Sequence, residues 1–147
     1  MDITTTPISP SLTFCLALAR AYATLSRTID RRLGGLHGLS FADFMILLEL
    51  RGASGTRMRR VELSEALGLT PSAVTRALIP LEKIGLVSRQ PDPHDARVGY
   101  ATLTKAGRRV LDEAVESAEV VSVDAIPKEA VPELGALVAA LSRIAGK

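Results

Sequence analysis

The sequence predicts a mainly helical, α+β chain: a winged helix-turn-helix lying between N- and C-terminal helices. Two amphipathic helices, about 61–67 and 70–84, are joined only by Gly68-Leu69, the spacing of a helix-turn-helix. Two strand-like runs, 86–90 and 98–103, enclose the turn-rich tip Pro91-Asp92-Pro93-His94-Asp95-Ala96, which reads as a wing hairpin. A first helix is apolar on so much of its circumference that it must be covered on more than one side, which in a short chain suggests a partner subunit. The expected organisation is 1–38 as N-terminal helix and loop, 39–104 as winged helix-turn-helix, and 105–147 as C-terminal helices.

Residues 1–10 are rich in Thr and Pro and are expected to be loose. From about 11 to 33, Leu12, Leu16, Ala19, Ala23, Ile29 and Leu33 recur at helical steps, and Phe14, Leu18, Tyr22 and Leu25 add a second stripe. Gly34-Gly35-Leu36-His37-Gly38 should end that helix. Ser40, with Asp43 three residues on, opens a helix to about Gly52 whose core face is Phe41, Phe44, Leu47 and Leu48. After a Gly-rich turn, 56–59 is long enough for a minimal strand. Leu63, Ala66 and Leu67 face inward on the next helix, which Gly68 closes.

Thr70-Pro71 then supplies an N-cap and a proline at the first helical position. Pro80 lies well inside the same helix, where it removes an amide donor and crowds the Arg76 carbonyl at a usual cost of ~3 kcal/mol. A kink or early tightening is expected there, and Lys83 stays on the helix face only if the helix continues past it. Thr104 caps a long helix to about 125, and Ile126-Pro127 breaks it. A last helix, about 129–145, carries Val131, Leu134, Leu137, Val138, Leu141 and Ile144 in one stripe.

The net charge is only +2, yet residues 57–109 hold ten basic and five acidic side chains whereas 110–147 hold three and seven. A basic middle points to a polyanion facing one module. One cysteine and two histidines exclude a disulfide scaffold and a Cys/His zinc site, so no metal or cofactor is expected. Nothing resembles a nucleotide-binding loop, a Ser-His-Asp set or a metal motif, which argues against an enzyme. Charged residues interrupt every apolar run before membrane-spanning length, and the N-terminus lacks a basic secretory start, so the expectation is a soluble, cytoplasmic protein.

The helix at 70–84 has two faces. Val74, Ala77, Leu78 and Leu81 would pack against Leu63 and Leu67, leaving Ser72, Thr75, Arg76, Ile79 and Lys83 opposite. In a helix-turn-helix the second helix enters the major groove, so the hydroxyls and the arginine could reach base edges or phosphates, and Thr70 at the N-terminus lies where a phosphate is favoured. Asp95 and Arg97, two residues apart, can pair, and a held arginine on a protruding loop can enter a narrow minor groove. Arg89, on the first wing strand, joins this set. The bland alternative for each is an ordinary solvated face or a surface ion pair worth ~0–1 kcal/mol.

The run Leu63-Ser64-Glu65-Ala66-Leu67-Gly68-Leu69-Thr70-Pro71-Ser72-Ala73-Val74-Thr75-Arg76, then Leu81-Glu82-Lys83-Ile84-Gly85-Leu86-Val87, resembles the MarR family of bacterial transcription regulators. So does Asp92-Pro93-His94-Asp95-Ala96-Arg97 followed by Leu103-Thr104-Lys105-Ala106-Gly107. The resemblance implies N- and C-terminal dimerisation helices that interlock with a second subunit, with Leu12, Leu16, Leu134, Leu137, Val138 and Leu141 in the interface. It also implies a recognition helix at 70–84 and a minor-groove arginine at Arg97, oriented by Asp95. A homodimeric repressor of this type would occupy a near-palindromic duplex, with half-sites ~10 bp apart, and be released by a small molecule or oxidant.

Two further residues invite a role. Some relatives in this family sense peroxide through a cysteine on the first helix, but Cys15 lies among Phe14, Leu16 and Leu18, and an inert buried thiol is the expectation. MarR-like proteins often hold an effector pocket near the junction of the first two helices, where His37 lies; the plainer reading is a solvated loop histidine. The rival functions are a redox-sensing regulator acting through Cys15 and a winged helix used only for protein contacts.

Overall fold

The computed structural model describes residues 6–146. The helices are α1 (Pro10–His37), α2 (Phe41–Gly52), α3 (Arg60–Leu67), α4 (Pro71–Lys83), α5 (Lys105–Ala125) and α6 (Leu134–Ile144); the strands are β1 (Arg57–Arg59), β2 (Val87–Pro91) and β3 (Gly99–Leu103). Short 3₁₀ segments cover Ser54–Thr56 and lead into α6 at Lys128–Glu133. The strands form one antiparallel sheet in the order β1-β3-β2, with Arg59 opposite Tyr100 and Arg89 opposite Ala101. The element order expected of a winged helix-turn-helix is the order observed. The loose lead expected over 1–10 falls outside the described residues for its first five positions, and Ser9 already caps α1 by accepting from the Leu12 N–H.

Local chemistry explains most boundaries. Ser40 and Asp43 form a reciprocal capping box at the start of α2, and Asp30 of α1 accepts from the Phe41 N–H as well. Gly68 sits at φ 63°, where its missing side chain lets α3 turn into α4. Ser64 locks that turn by donating to the Leu69 carbonyl at 2.6 Å.

Two expected helix bounds need correction. The double glycine does not end α1; the helix runs on to His37 and stops at Gly38, φ 66°. A helix tolerates two glycines at ~1 kcal/mol each, and here its end is pinned by Leu33 and Leu39, both fully buried, with the Leu39 N–H on the Leu33 carbonyl. The α4 helix runs through Pro80 to Lys83, close to the expected end, so Lys83 lies in its last turn. Leu78 and Leu81, on either side of the proline, are both buried in the core. The C-terminal helix begins at Leu134 rather than 129, because Pro132 lies in a 3₁₀ turn ahead of it.

The core lies beneath the central lobe. Ile46, Leu47 and Leu50 of α2, Leu63 of α3, Val74, Leu78 and Leu81 of α4, and Leu111 and Ala114 of α5 are sealed from solvent; each such leucine supplies roughly 1.5–3 kcal/mol. The extensions differ. Leu33 is the one buried residue of α1, and α6 has none. Leu12 and Leu16 are 45% and 40% exposed, and Leu137, Val138 and Leu141 are 42%, 59% and 36% exposed. Cys15 is exposed too, against the expectation of burial, because no other described element covers the outer half of α1.

The lobe joins α5 at a tight junction. The Thr104 hydroxyl donates to the Gly85 carbonyl at 2.6 Å and accepts the Gly107 N–H at 2.9 Å, while the Thr104 N–H donates to the Leu86 carbonyl. Gly107 is buried against that carbonyl, and a Cβ there would collide with it. A backbone oxygen cannot swing aside as a side chain can, so Gly107→Ala is expected to lower stability by ~1–3 kcal/mol or more in urea unfolding. An unchanged midpoint and slope would contradict this packing.

Candidate nucleic-acid interface

The α4 helix presents one long polar edge. Thr70 accepts the Ala73 N–H at 3.2 Å, so its hydroxyl is engaged in starting the helix. Ser72, Arg76 and Lys83 are exposed, with Ile79 between them at 53% exposure, whereas Thr75 is half-buried. Among the expected DNA-facing residues of this helix, Ser72, Arg76 and Lys83 are therefore freely presented, and Thr75 is partly screened. Arg60, at the start of α3, lies 3.9 Å from Glu82 and ties the two helices together.

The wing carries the more ordered charges. Arg97 meets Asp95 twice, Nε to Oδ1 at 3.2 Å and Nη2 to Oδ2 at 3.4 Å, and its N–H also donates to Asp95. The expected pair forms, and it leaves the arginine side chain 91% exposed at the tip. An exposed pair of this kind adds little stability; its consequence is to fix a guanidinium that would otherwise sample many rotamers.

A second cluster was not anticipated. Asp92 is buried at 8% exposure, accepts the His94 N–H at 2.7 Å, and receives Arg59 at 3.1 Å and the Tyr100 hydroxyl at 3.2 Å. Arg57 and Arg59 lie over the Tyr100 ring, 4.6 and 5.5 Å from its centre. The signals were present in the sequence: Asp followed by Pro favours a turn closed by the aspartate two residues on, and arginines at i and i+2 of a strand share a face. What the sequence does not give is the register that sets Arg59 opposite Tyr100.

These contacts stabilise the charged forms. The His94 N–H, ahead of Tyr100 and Arg59, holds the Asp92 carboxyl below its ordinary value, against the opposing effect of burial. The Arg97 guanidinium and N–H do the same for Asp95. The other expected positions lie elsewhere. His37 ends α1 with Nε2 2.8 Å from the Ser117 hydroxyl of α5, so it is a helix-end residue in contact with α5, not a loop histidine. Cys15 lies on the outer part of α1, outside the lobe. Among the described residues no group of His, Cys, Asp and Glu could hold a metal ion, and no single helix is long and apolar enough to cross a membrane.

A three-helix lobe with a minimal antiparallel sheet, a capped and polar-edged second helix, and an arginine-bearing hairpin define a winged helix-turn-helix regulator. The comparisons with known proteins agree. The model of the MarR family matches residues 39–98. The chain is 29% identical over 118 residues to the HTH-type transcriptional regulator MhqR of Bacillus subtilis (strain 168), spanning 77% of this chain and 79% of the relative. It superposes on the transcriptional regulator BldR from Sulfolobus solfataricus with a TM-score of 0.79 at 31% identity, covering 95% of this chain and 99% of BldR. Sco3205, a MarR family regulator from Streptomyces coelicolor in complex with DNA, matches with a TM-score of 0.75 at 25% identity, over 97% of this chain and 91% of that one. The chain belongs to the MarR family, whose members are DNA-binding transcriptional regulators and not enzymes.

Because both carboxyls titrate below the ordinary 3.8, they favour the folded wing when ionised. That contribution is complete above this value and is lost as pH falls through the depressed ones. Tyr100 ring and Arg97 Nε–Hε resonances should hold their neutral-pH positions down to about pH 4; a wing that loosens already above about pH 5 would contradict the assignment.

Proposed function

We propose that this chain acts as a homodimeric repressor that binds a near-palindromic duplex through α4 and the wing. The single observation that carries the reading is the pairing, on one lobe, of an exposed Ser72–Arg76–Lys83 edge with an Arg97 whose guanidinium is held out by Asp95. The α4 edge suits the major groove, with Thr70 and Thr75 as supporting contacts; Arg97 suits the minor groove, and Arg89 a neighbouring phosphate. The DNA complex of Sco3205, similar over nearly the full length, supports this use of the lobe.

The dimer reading rests on what α1 and α6 leave uncovered. Leu12 and Leu16 on one and Leu137, Val138 and Leu141 on the other form exposed apolar faces outside the lobe, with Leu134 half-buried at the base of α6. Faces of this size invite a like surface. On this reading 1–38 and 105–147 form the dimerisation arms, 39–104 is the DNA-binding unit, and the protein works in the cytoplasm. Cys15 then lies inside the paired arms, which favours a packing role over redox sensing. A small-molecule effector would act near His37, where α1 meets α5, by shifting the spacing of the two lobes.

Arg97→Ala should weaken binding to a duplex selected from a random pool by ~1–3 kcal/mol in fluorescence anisotropy. An affinity within twofold of the parent removes the minor-groove role. The double variant Leu137→Asp/Leu141→Asp should sediment as a monomer, and an unchanged dimer removes that interface. Parent affinity should also fall steeply with salt as counterions are released; a flat dependence would favour the protein-contact reading.

A further inference from the structure

Ile79 stands on the polar edge of α4 with no polar group to offer. Ser72, Arg76, Ile79 and Lys83 follow one another at steps of four, three and four residues, which keeps them on one face of the helix. The opposite face is Val74, Leu78 and Leu81, all sealed in the core. Ile79 is 53% exposed, so it points away from that core and gains little from burial in its own chain. A lone exposed isoleucine is ordinary on a solvated surface. This one is set apart by its neighbours and by what it costs the helix.

Two local rules count against isoleucine at this position. A branched Cβ lowers helix propensity, and a proline ring pushes the residue before it away from helical backbone. Ile79 breaks both, since it precedes Pro80 and still lies inside α4. Its exposure means that core packing does not offset these costs. A residue that breaks local rules with no return in stability marks a functional position. The same branching leaves one strongly preferred χ1 in a helix, so the side chain is a stiff apolar surface that loses little entropy on contact.

We infer that Ile79 is a specificity residue that recognises the 5-methyl group of a thymine. The inference rests on the proposed use of α4 in the major groove. Thymine alone among the four bases carries a methyl on its major-groove edge; the others present hydrogen-bonding groups or leave the position bare. Isoleucine pressed against those polar groups would strip their water and return no bond. Burying one methyl is worth about fourfold in affinity. Seven residues separate Ser72 from Ile79, about 10 Å of helix or about three base-pair steps. The polar start of α4 and the isoleucine therefore meet different base pairs, and their effects can be separated.

The test compares the full parent chain with Ile79→Ala on a duplex that the parent selects from a random pool. Each thymine is replaced in turn by uracil, which removes the methyl and keeps every hydrogen-bonding group. At one position in each half-site the replacement should weaken parent binding about fourfold and leave Ile79→Ala binding unchanged. Ile79→Ala should bind the thymine duplex as weakly as the parent binds the uracil one. Selected from the same pool, the variant should lose the thymine preference at that position and keep the preferences elsewhere. Its urea midpoint should equal or exceed the parent's, because alanine is the better helix former and no core contact is lost. A lower midpoint assigns Ile79 to the folded structure and overturns the inference. A parent indifferent to every uracil, or a variant that keeps the parent's uracil sensitivity, overturns it too and leaves the groove reading standing. A parent that binds no duplex defeats both.

Discussion

The lobe and the arm that carries it meet at the Leu86 carbonyl. Thr104 bonds to it through its N–H, Gly107 of α5 presses against it, and the Thr104 hydroxyl bridges the end of the α4 turn to the first turn of α5. Leu86 and Leu103 on either side are buried. The entry and exit of the wing hairpin are thereby clamped to the start of a 21-residue helix. Because packed backbone has no rotamer to relax into, this joint transmits orientation rather than absorbing it. Wherever α5 is held, the wing and α4 are held with it.

Within the lobe, charge is arranged by carboxylates that act as anchors. Asp92 and Asp95 stand three residues apart on the wing loop and hold Arg59 and Arg97, one from inside and one at the surface. Exposed ion pairs contribute little to folding, so the gain is one of preorganisation: an arginine already fixed loses less entropy when it meets a partner. The Tyr100 ring adds a hard surface for Arg57 and Arg59. The wing is thus a rigid cationic edge, which suits reading the shape and potential of a groove.

Much of this was legible in the sequence because local rules and tertiary demands agree. Ser40 with Asp43, Thr70 with Pro71, Gly68 and Thr104 each mark a boundary through chemistry confined to four or five residues, and each boundary lies within about a residue of its mark. The Asp95–Arg97 contact was legible for the same reason. The misses are places where distant packing overrules the local signal. Gly34-Gly35-Leu36-His37-Gly38 reads as a stop after Leu33, but burial of Leu33 and Leu39 carries the helix four residues further, to His37. Cys15 reads as buried among apolar neighbours, yet among the described residues it stays exposed. The Asp92–Arg59–Tyr100 cluster depends on strand register, and no single-residue pattern encodes the β1–β3 pairing.

On the proposed reading, the paired arms deliver two lobes to one duplex. Native mass spectrometry of the parent chain with a 30-bp duplex (about three helical turns) selected from a random pool, at low ionic strength, tests this directly. The account predicts a complex of two chains per duplex, with no appreciable one-chain species as protein is diluted. A complex of one chain per duplex, or free duplex beside free protein, would contradict it.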